Sequence, residues 1–318
     1  RFNSSAMSNV AIIGIGGIGR VHASIFQSLG ANIVGVLSST EDNANEAVRE
    51  LADKYDISVR PYWNLDQILD LSLDAVSICT PPALHYQHII AAFNRGLCVF
   101  CEKPLFWSYD GYEETRKKLY RLRSHPNRRL FLNISNTLFI DTIRSRAPRP
   151  ADVESFTFRF NTRGANRGKD ILIDLLPHGI SLLQRLFGYR SVSAVDSTVL
   201  SHSATIKFKY GDCSVEFEFD ENQQGQKEFY FEIDGNQYKR IQQGSRNSYR
   251  VFIHDIGNDD LIELDDPFRT YISAFLNYCN GYSEARSDNF GEAEINLNLM
   301  NTLLEQCHLS GLSIGLDP

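Results

Sequence analysis

Gly14-Ile15-Gly16-Gly17-Ile18-Gly19 follows a short apolar run at residues 10–13 and opens a helical pattern that reaches about residue 29. At such a junction a G-x-G-x-x-G has its own chemistry. Gly14 permits the tight turn, Gly16 lets backbone amides approach a pyrophosphate with Gly17 and Ile18 completing the loop, and Gly19 allows close helix–strand packing. The amino end of the helix favours the negative charge. Placed in a repeated strand–helix pattern near the chain start, the motif predicts a dinucleotide site. The second strand, residues 32–37, ends in Ser38-Ser39-Thr40, where an acid would grip an adenosine ribose. Hydroxyls tolerate a 2′-phosphate that a carboxylate would repel, while Glu41 and Asp42 come late and read as the start of the next helix. The expected cofactor is NADP or NAD; the hydroxyls favour NADP, and the absence of a nearby Arg or Lys to clamp the phosphate keeps that preference modest.

Cys98 and Cys101 form a C-x-x-C, but no second Cys or His pair follows at zinc-ligand spacing. Their apolar surroundings at 97–100 read as buried thiols, and no metal site is expected. Six cysteines spread over 318 residues do not suit a disulfide framework.

The elements that position these residues follow from composition and pattern. With 318 residues, 42% hydrophobic and 22% charged, the chain has material for a core and for two domains. A net charge of -7 argues against nucleic-acid partners. No apolar run approaches the ~18 residues of a bilayer span and the amino terminus lacks a signal-peptide layout, so no membrane association and a cytoplasmic location are expected. Residues 1–6, polar and unpatterned before Met7, are read as a cloning remnant outside the fold.

Strand-like runs at 10–13, 32–37, 74–80, 98–104 and 130–135 alternate with helical patterns, including 84–94 and 109–123. This predicts a parallel sheet covered by helices on both faces. Beyond the Pro-interrupted stretch at 146–150 the texture changes. Residues 153–162, 203–210, 214–220, 228–233 and 249–253 alternate with period two, and helical patterns at 171–187, 268–279 and 289–309 supply cover. The expected fold is α/β: a Rossmann dinucleotide-binding domain at 9–137, then an α+β domain at 138–318 with an open, mostly antiparallel sheet for substrate binding and oligomerisation.

GIGGIGRVHA at the amino end, residues 79–105 with Glu102-Lys103-Pro104, and IDLLPHGI at 173–180 resemble the glucose-fructose oxidoreductase and inositol dehydrogenase (Gfo/Idh/MocA) family. The resemblance implies cofactor contacts at Thr80, Pro81, His85, Glu102 and Lys103, and chemistry by Lys103, Asp174 and His178, with substrate beside the nicotinamide. Asp174 and His178, four apart in a helical pattern, share one face, where a carboxylate can orient an imidazole. Lys103 follows the carboxyl end of a buried strand, where open α/β sheets bind ligands. His22 reads as a packing residue. The chain departs from the family in Leu176-Pro177 before His178, in Asn133 and Thr137 where many members carry Gly and Arg, and in a short segment between 162 and 174.

The expected activity is NAD(P)-dependent hydride transfer between the nicotinamide and a secondary alcohol or ketone of a sugar, cyclitol or related polyol. His178 is expected to handle the proton, Lys103 to stabilise the reacting oxygen and Asp174 to orient His178. Arg163, Arg167 and Lys169, on a glycine-bearing loop leading to Asp174, are expected to grip an anionic substrate. A homo-oligomer, dimer or tetramer, is expected through the C-terminal sheet. A non-catalytic cofactor-binding sensor of the same fold and a C=N or C=C reductase stay open as alternatives.

Overall fold

The computed structural model describes residues 8–244, 249–281 and 288–309, the side chains of 308 and 309 excepted, so the expected remnant at 1–6 lies outside the described residues. Aliphatic runs without polar alternation form strands buried on both faces. These are β1 (Asn9–Ile13), β2 (Asn32–Leu37), β4 (Ala75–Ile78), β5 (Cys98–Cys101) and β6 (Leu130–Leu132), joined by the short, part-exposed β3 (Arg60–Tyr62). They make a parallel sheet in the order β3-β2-β1-β4-β5-β6. Between them run helices α1 (Gly17–Ser28), α2 (Glu41–Tyr55), α3 (Leu65–Leu69), α4 (Pro82–Asn94) and α5 (Tyr112–Arg123). The chain leaves β1 to one side for β2 and β3 and returns on its other side with β4, so the strand order reverses at the carboxyl ends of β1 and β4. The edge strand β3 carries Pro61, which only an edge tolerates, and is too short to show a period. Cys98 and Cys101, three apart on β5, fall on opposite strand faces and are both buried free thiols.

After α6 (Thr137–Ile143), strand β7 (Ser155–Thr162) and helix α7 (Lys169–Phe187) comes a run of seven strands. They are β8 (Val192–Val199), β9 (Ser203–Tyr210), β10 (Cys213–Glu221), β11 (Glu228–Ile233), β12 (Asn236–Gln243), β13 (Arg250–Asp255) and β14 (Asp260–Leu264). The sheet order is β14-β13-β12-β11-β7-β10-β9-β8. Its pairs are antiparallel except β7 with β10, which run parallel with Phe158 beside Phe217 and Phe160 beside Phe219. The sheet is therefore mixed, and largely antiparallel as expected. The β11–β12 hairpin turns on Asp234 and Gly235, both at positive φ (47° and 81°), as a two-residue hairpin of this hand requires.

One face of this sheet is apolar. Phe156, Phe158, Phe217, Phe219, Phe229 and Phe231 are fully buried there, each contributing about 1.5–3 kcal/mol. Helix α7 comes close to that face because Gly179 has no side chain: a Cβ would stand 2.7 Å from the Phe217 ring and 3.0 Å from Phe158. The opposite face is laced with ion pairs, Arg159–Glu218 at 3.1 Å and Lys207–Glu216 at 3.0 Å among them.

The chain forms two compact units, Arg1–Ile134 with Phe268–Glu294, and Ser135–Pro267 with Ile295–Pro318. Helix α8 (Pro267–Cys279), which the pattern set over the C-terminal sheet, instead packs in the first unit. Phe275 lies 6.0 Å from Phe26, 5.2 Å from Phe100 and 6.3 Å from Phe131. Helix α9 (Phe290–Leu309) closes the described chain. Among the described residues no helix is long and apolar enough to cross a membrane, and no group of three or more His, Cys, Asp or Glu is placed to hold a metal ion.

Candidate active site

The glycine loop divides into residues the fold demands and residues it does not. Gly14 has φ +95°, and a Cβ there would stand 2.7 Å from the Thr80 amide nitrogen. A Cβ at Gly19 would stand 2.2 Å from the Gly14 carbonyl oxygen. At Gly16 and Gly17 a Cβ would meet no protein atom within 4 Å. The loop is pinned to the end of β2, where Leu37 O accepts from Gly14 N at 3.0 Å and Ile15 N at 3.1 Å. Gly16 caps α1 without a side-chain bond, so the open side of the loop and the helix amides fit a dinucleotide pyrophosphate.

Of the three hydroxyl residues after β2, two start α2. Thr40 Oγ1 accepts from Asn43 N and Ser39 Oγ from Asn43 Nδ2, both at 3.2 Å. Glu41 and Asp42 are the acids of that helix's first turn, as read from the sequence. Ser38 stays half-buried at the strand end, its amide donating to Tyr62 O at 2.9 Å.

The loops after β4 and β5 are braced by His85. Its Nε2 lies 2.7 Å from Thr80 O and its Nδ1 2.9 Å from Pro104 O. Burial lowers its pKa, so the neutral ring donates to one of the two carbonyls at a time. Thr80 Oγ1 meets His88 Nδ1 at 3.0 Å, and burial pushes His88 down to about 4. Pro81 precedes α4, whose first residue, Pro82, needs no amide partner.

Glu102 is 8% exposed, and its carboxylate is engaged inside the unit. Oε1 stands 2.8 Å from His22 Nε2 and accepts from Asn133 Nδ2 at 2.6 Å. His22 Nδ1 lies 2.8 Å from Ser77 Oγ and 3.2 Å from Cys79 Sγ. Burial opposes the imidazolium, yet the Cys79 sulfur and Glu102 outweigh it and raise His22 to about 10. Burial likewise opposes the Glu102 carboxylate, but His22, Lys103 and Asn133 outweigh it and lower its pKa. His22 does pack, 5.4 Å from the Phe100 ring, but it is also one half of a buried ion pair that no local spacing announces. Asn133, a departure from the family pattern, has its use here. Lys103 follows, half-buried, with a cis peptide to Pro104.

In the second unit α7 carries Asp174 and His178. The His178 ring sits edge-on to Phe160 at 4.8 Å, and its Nδ1 lies 2.7 Å from the Asn136 amide. Ser181 Oγ donates to His178 O at 2.7 Å and Asn296 Nδ2 to Pro177 O at 3.1 Å, steadying a helix turn that Pro177 deprives of an amide. Asn166 Nδ2 donates to Asp174 Oδ2 at 3.3 Å and to Glu221 Oε1 at 3.1 Å, while its backbone amide donates to Glu221 Oε2 at 2.8 Å. Burial and the nearby Asp174 carboxylate raise the pKa of Glu221. Arg163, Arg167 and Lys169 are exposed. Arg163 Nε donates to Gly225 O at 3.2 Å, and Arg167 Nη1 to Asn166 O at 2.6 Å. Asn136 and Glu221, which meet His178 and Asn166, are neighbours that the spacing of motifs did not reveal.

A parallel sheet with a phosphate-type glycine loop at its switch point, and a buried Glu preceding Lys103, make a Rossmann-type fold. Residues 8–125 match the Gfo/Idh/MocA family model, described as "Oxidoreductase family, NAD-binding Rossmann fold", and over those residues the chain is similar to that family. It is 29% identical over 145 residues to glucose-6-phosphate 3-dehydrogenase of Bacillus subtilis (strain 168), covering 42% of this chain and 39% of that one. It is 28% identical over 194 residues to an inositol 2-dehydrogenase of Cereibacter sphaeroides, covering 58% and 55%. These matches thus span about two fifths to just over half of the curated relatives. Across 96% of this chain the fold is similar to that of UDP-N-acetylglucosamine 3-dehydrogenase from Acidithiobacillus ferrooxidans, with TM-score 0.69, 18% identity and 98% of that chain covered.

Proposed function

We propose that the protein is an NAD(P)-dependent dehydrogenase that moves a hydride between the nicotinamide and a secondary alcohol or ketone of a sugar, cyclitol or related polyol. The observation that carries this reading is the glycine loop, tight where the fold needs it and open at Gly16 and Gly17, in a unit that also holds Lys103 after β5. The relatives' names, a sugar-phosphate and an inositol dehydrogenase, support the substrate class. When bound, the dinucleotide supplies the hydride acceptor or donor. Gly14 to Gly19 hold its pyrophosphate, Thr80, Pro81 and His85 shape the loop beside it, and Ser38 meets the adenosine ribose. The Ser38 hydroxyl favours NADP over NAD.

Lys103 donates a hydrogen bond to the reacting oxygen and stabilises the negative charge that develops there. His178 takes or returns the hydroxyl proton at Nε2. The Asn136 amide can present its oxygen to a protonated Nδ1 or its nitrogen to a bare one, so it holds the ring in either state. Asp174 supplies negative charge on the helix face of His178, and the raised Glu221 carboxyl shares a proton with it. Arg163, Arg167 and Lys169 offer further donors to substrate oxygens at the entry to α7. Dinucleotide binding is assigned to 9–137, and substrate binding and self-association to 138–318, as a dimer or tetramer. Sedimentation at micromolar concentration reads the last point; the mass of one chain would remove it.

The deciding experiment offers inositols, hexoses, sugar phosphates and keto-sugars with NAD, NADP and their reduced forms, following nicotinamide absorbance. Turnover with at least one polyol pair is expected. Silence throughout, with dinucleotide binding intact, would replace this reading by a non-catalytic sensor.

A further inference from the structure

Arg240, in the middle of β12, lies on the apolar face of the sheet. Its guanidinium is 4.8 Å from the Phe229 ring centroid and 5.9 Å from that of Phe160. The same Phe160 ring lies 4.8 Å from His178, so one aromatic ring stands between the imidazole and a cation. Nearby arginines have acids: Arg159 with Glu218 at 3.1 Å, Arg146 with Asp260 at 2.7 Å, and Arg250 with Glu263 at 2.6 Å. Among the described residues no carboxylate pairs with Arg240, and the polar group near it is the Tyr249 hydroxyl.

A guanidinium keeps its charge in a protein, and withholding water from it without a counter-charge is costly. The two ring faces offset part of that cost. Burial still pulls the Arg240 pKa down. Gln242, two positions along and so on the same face of β12, donates to the Tyr249 hydroxyl. A guanidinium, an amide and a phenol thus gather on the sheet face that α7, the helix of His178, packs against. Arg163 and Arg167, by contrast, are exposed and donate to backbone carbonyls.

We propose that Arg240, Gln242 and Tyr249 form an anion subsite that takes a phosphate or carboxylate of the substrate, on the side away from the hydroxyl served by His178. This rests on the dehydrogenase reading and narrows its substrate to sugars or cyclitols that carry an anionic group. Bidentate geometry suits Arg240 to either anion, with Phe229 and Phe160 keeping water from the contact.

The test compares D-glucose 6-phosphate, D-glucuronate and D-glucose at equal ionic strength, by thermal melting of the purified protein and by nicotinamide reduction. The phosphate, the carboxylate or both are expected to raise the melting temperature beyond the neutral sugar, and the two arms tell which anion is preferred. Arg240→Met should remove that increment and lower the anionic-to-neutral ratio of kcat/KM by about 10- to 100-fold. Without ligand Arg240→Met should melt no lower than the parent, because an uncompensated cation is gone; should it fold poorly, Arg240→Lys carries the comparison and should keep part of the increment. An anion effect absent from the parent protein, or equal in the Met variant, overturns the subsite. An Arg240-dependent shift without hydride transfer to any probe would uphold the subsite and remove the dehydrogenase reading. Turnover of neutral sugars indifferent to Arg240 would do the reverse.

Discussion

Nε2 of His22 lies 2.8 Å from Oε1 of Glu102, with His22 shielded from solvent and Glu102 nearly so. The pair joins α1 to the end of β5, immediately before Lys103. It therefore ties the helix that opens at the glycine loop to the residue proposed to hold the reacting oxygen.

This pair predicts a stability window. His22, raised from 6.5 to about 10, contributes stability that is full below its ordinary value and lost as pH rises towards 10. Glu102, lowered from 4.5, contributes stability present above that value and lost as pH falls. Urea midpoints should fall between about pH 6 and about pH 9.5. Glu102→Gln, which leaves His22 buried without its counter-charge, should cost about 3–5 kcal/mol near pH 6 and flatten the decline. A midpoint constant across that range in the parent protein would contradict the pair's role.

The glycines should separate folding from binding. Gly19→Ala drives a methyl into the Gly14 carbonyl and should destabilise the protein by about 1–3 kcal/mol. Gly16→Ala meets no protein atom and should leave the melting temperature unchanged while weakening dinucleotide binding. Equal losses of stability in both variants would show that Gly16 serves the fold alone.

Ser38→Asp should lower NADP affinity by about 10- to 100-fold through repulsion of the 2′-phosphate, with NAD affinity held or improved. Titration of both cofactors by fluorescence checks this. Unchanged affinities would place discrimination elsewhere than the end of β2.

His178→Ala and Lys103→Ala should each lower turnover by about 100- to 10,000-fold with cofactor affinity nearly intact. Asn136→Ala should cost less, about 10- to 100-fold, and displace the pH profile of kcat/KM, because the hydrogen bond that holds the imidazole is lost. Near-normal turnover in His178→Ala with Lys103→Ala inactive would assign proton transfer to the lysine.

What the sequence made legible is what lies close along the chain. The glycine loop, the strands of the parallel sheet other than β3, and the α7 pair of Asp174 and His178 are each written within a few residues. The partner of His178, by contrast, stands 42 positions away at Asn136, and Asn166 reaches Glu221 across 55 positions. Such contacts depend on which strands and helices become neighbours. The parallel pairing of β7 with β10 is hidden for the same reason. Strand β12 escaped because its composition is polar and Tyr238 alone of its eight residues is fully buried, so no alternation marks it. Helix α8 was visible as a helix, but its amphipathic face did not say which sheet it covers.

The packing of α8 gives the order of synthesis a structural meaning. Phe275 touches Phe26, Phe100 and Phe131, yet it leaves the ribosome after every strand of both sheets has been made. Until then the nascent Rossmann unit presents those rings uncovered, a surface suited to chaperones or to aggregation with other nascent chains. A fragment ending after β6 is expected to be insoluble, and one with residues 268–281 fused behind β6 to be recovered. The first unit to emerge thus waits for a helix made more than 130 residues after its last strand.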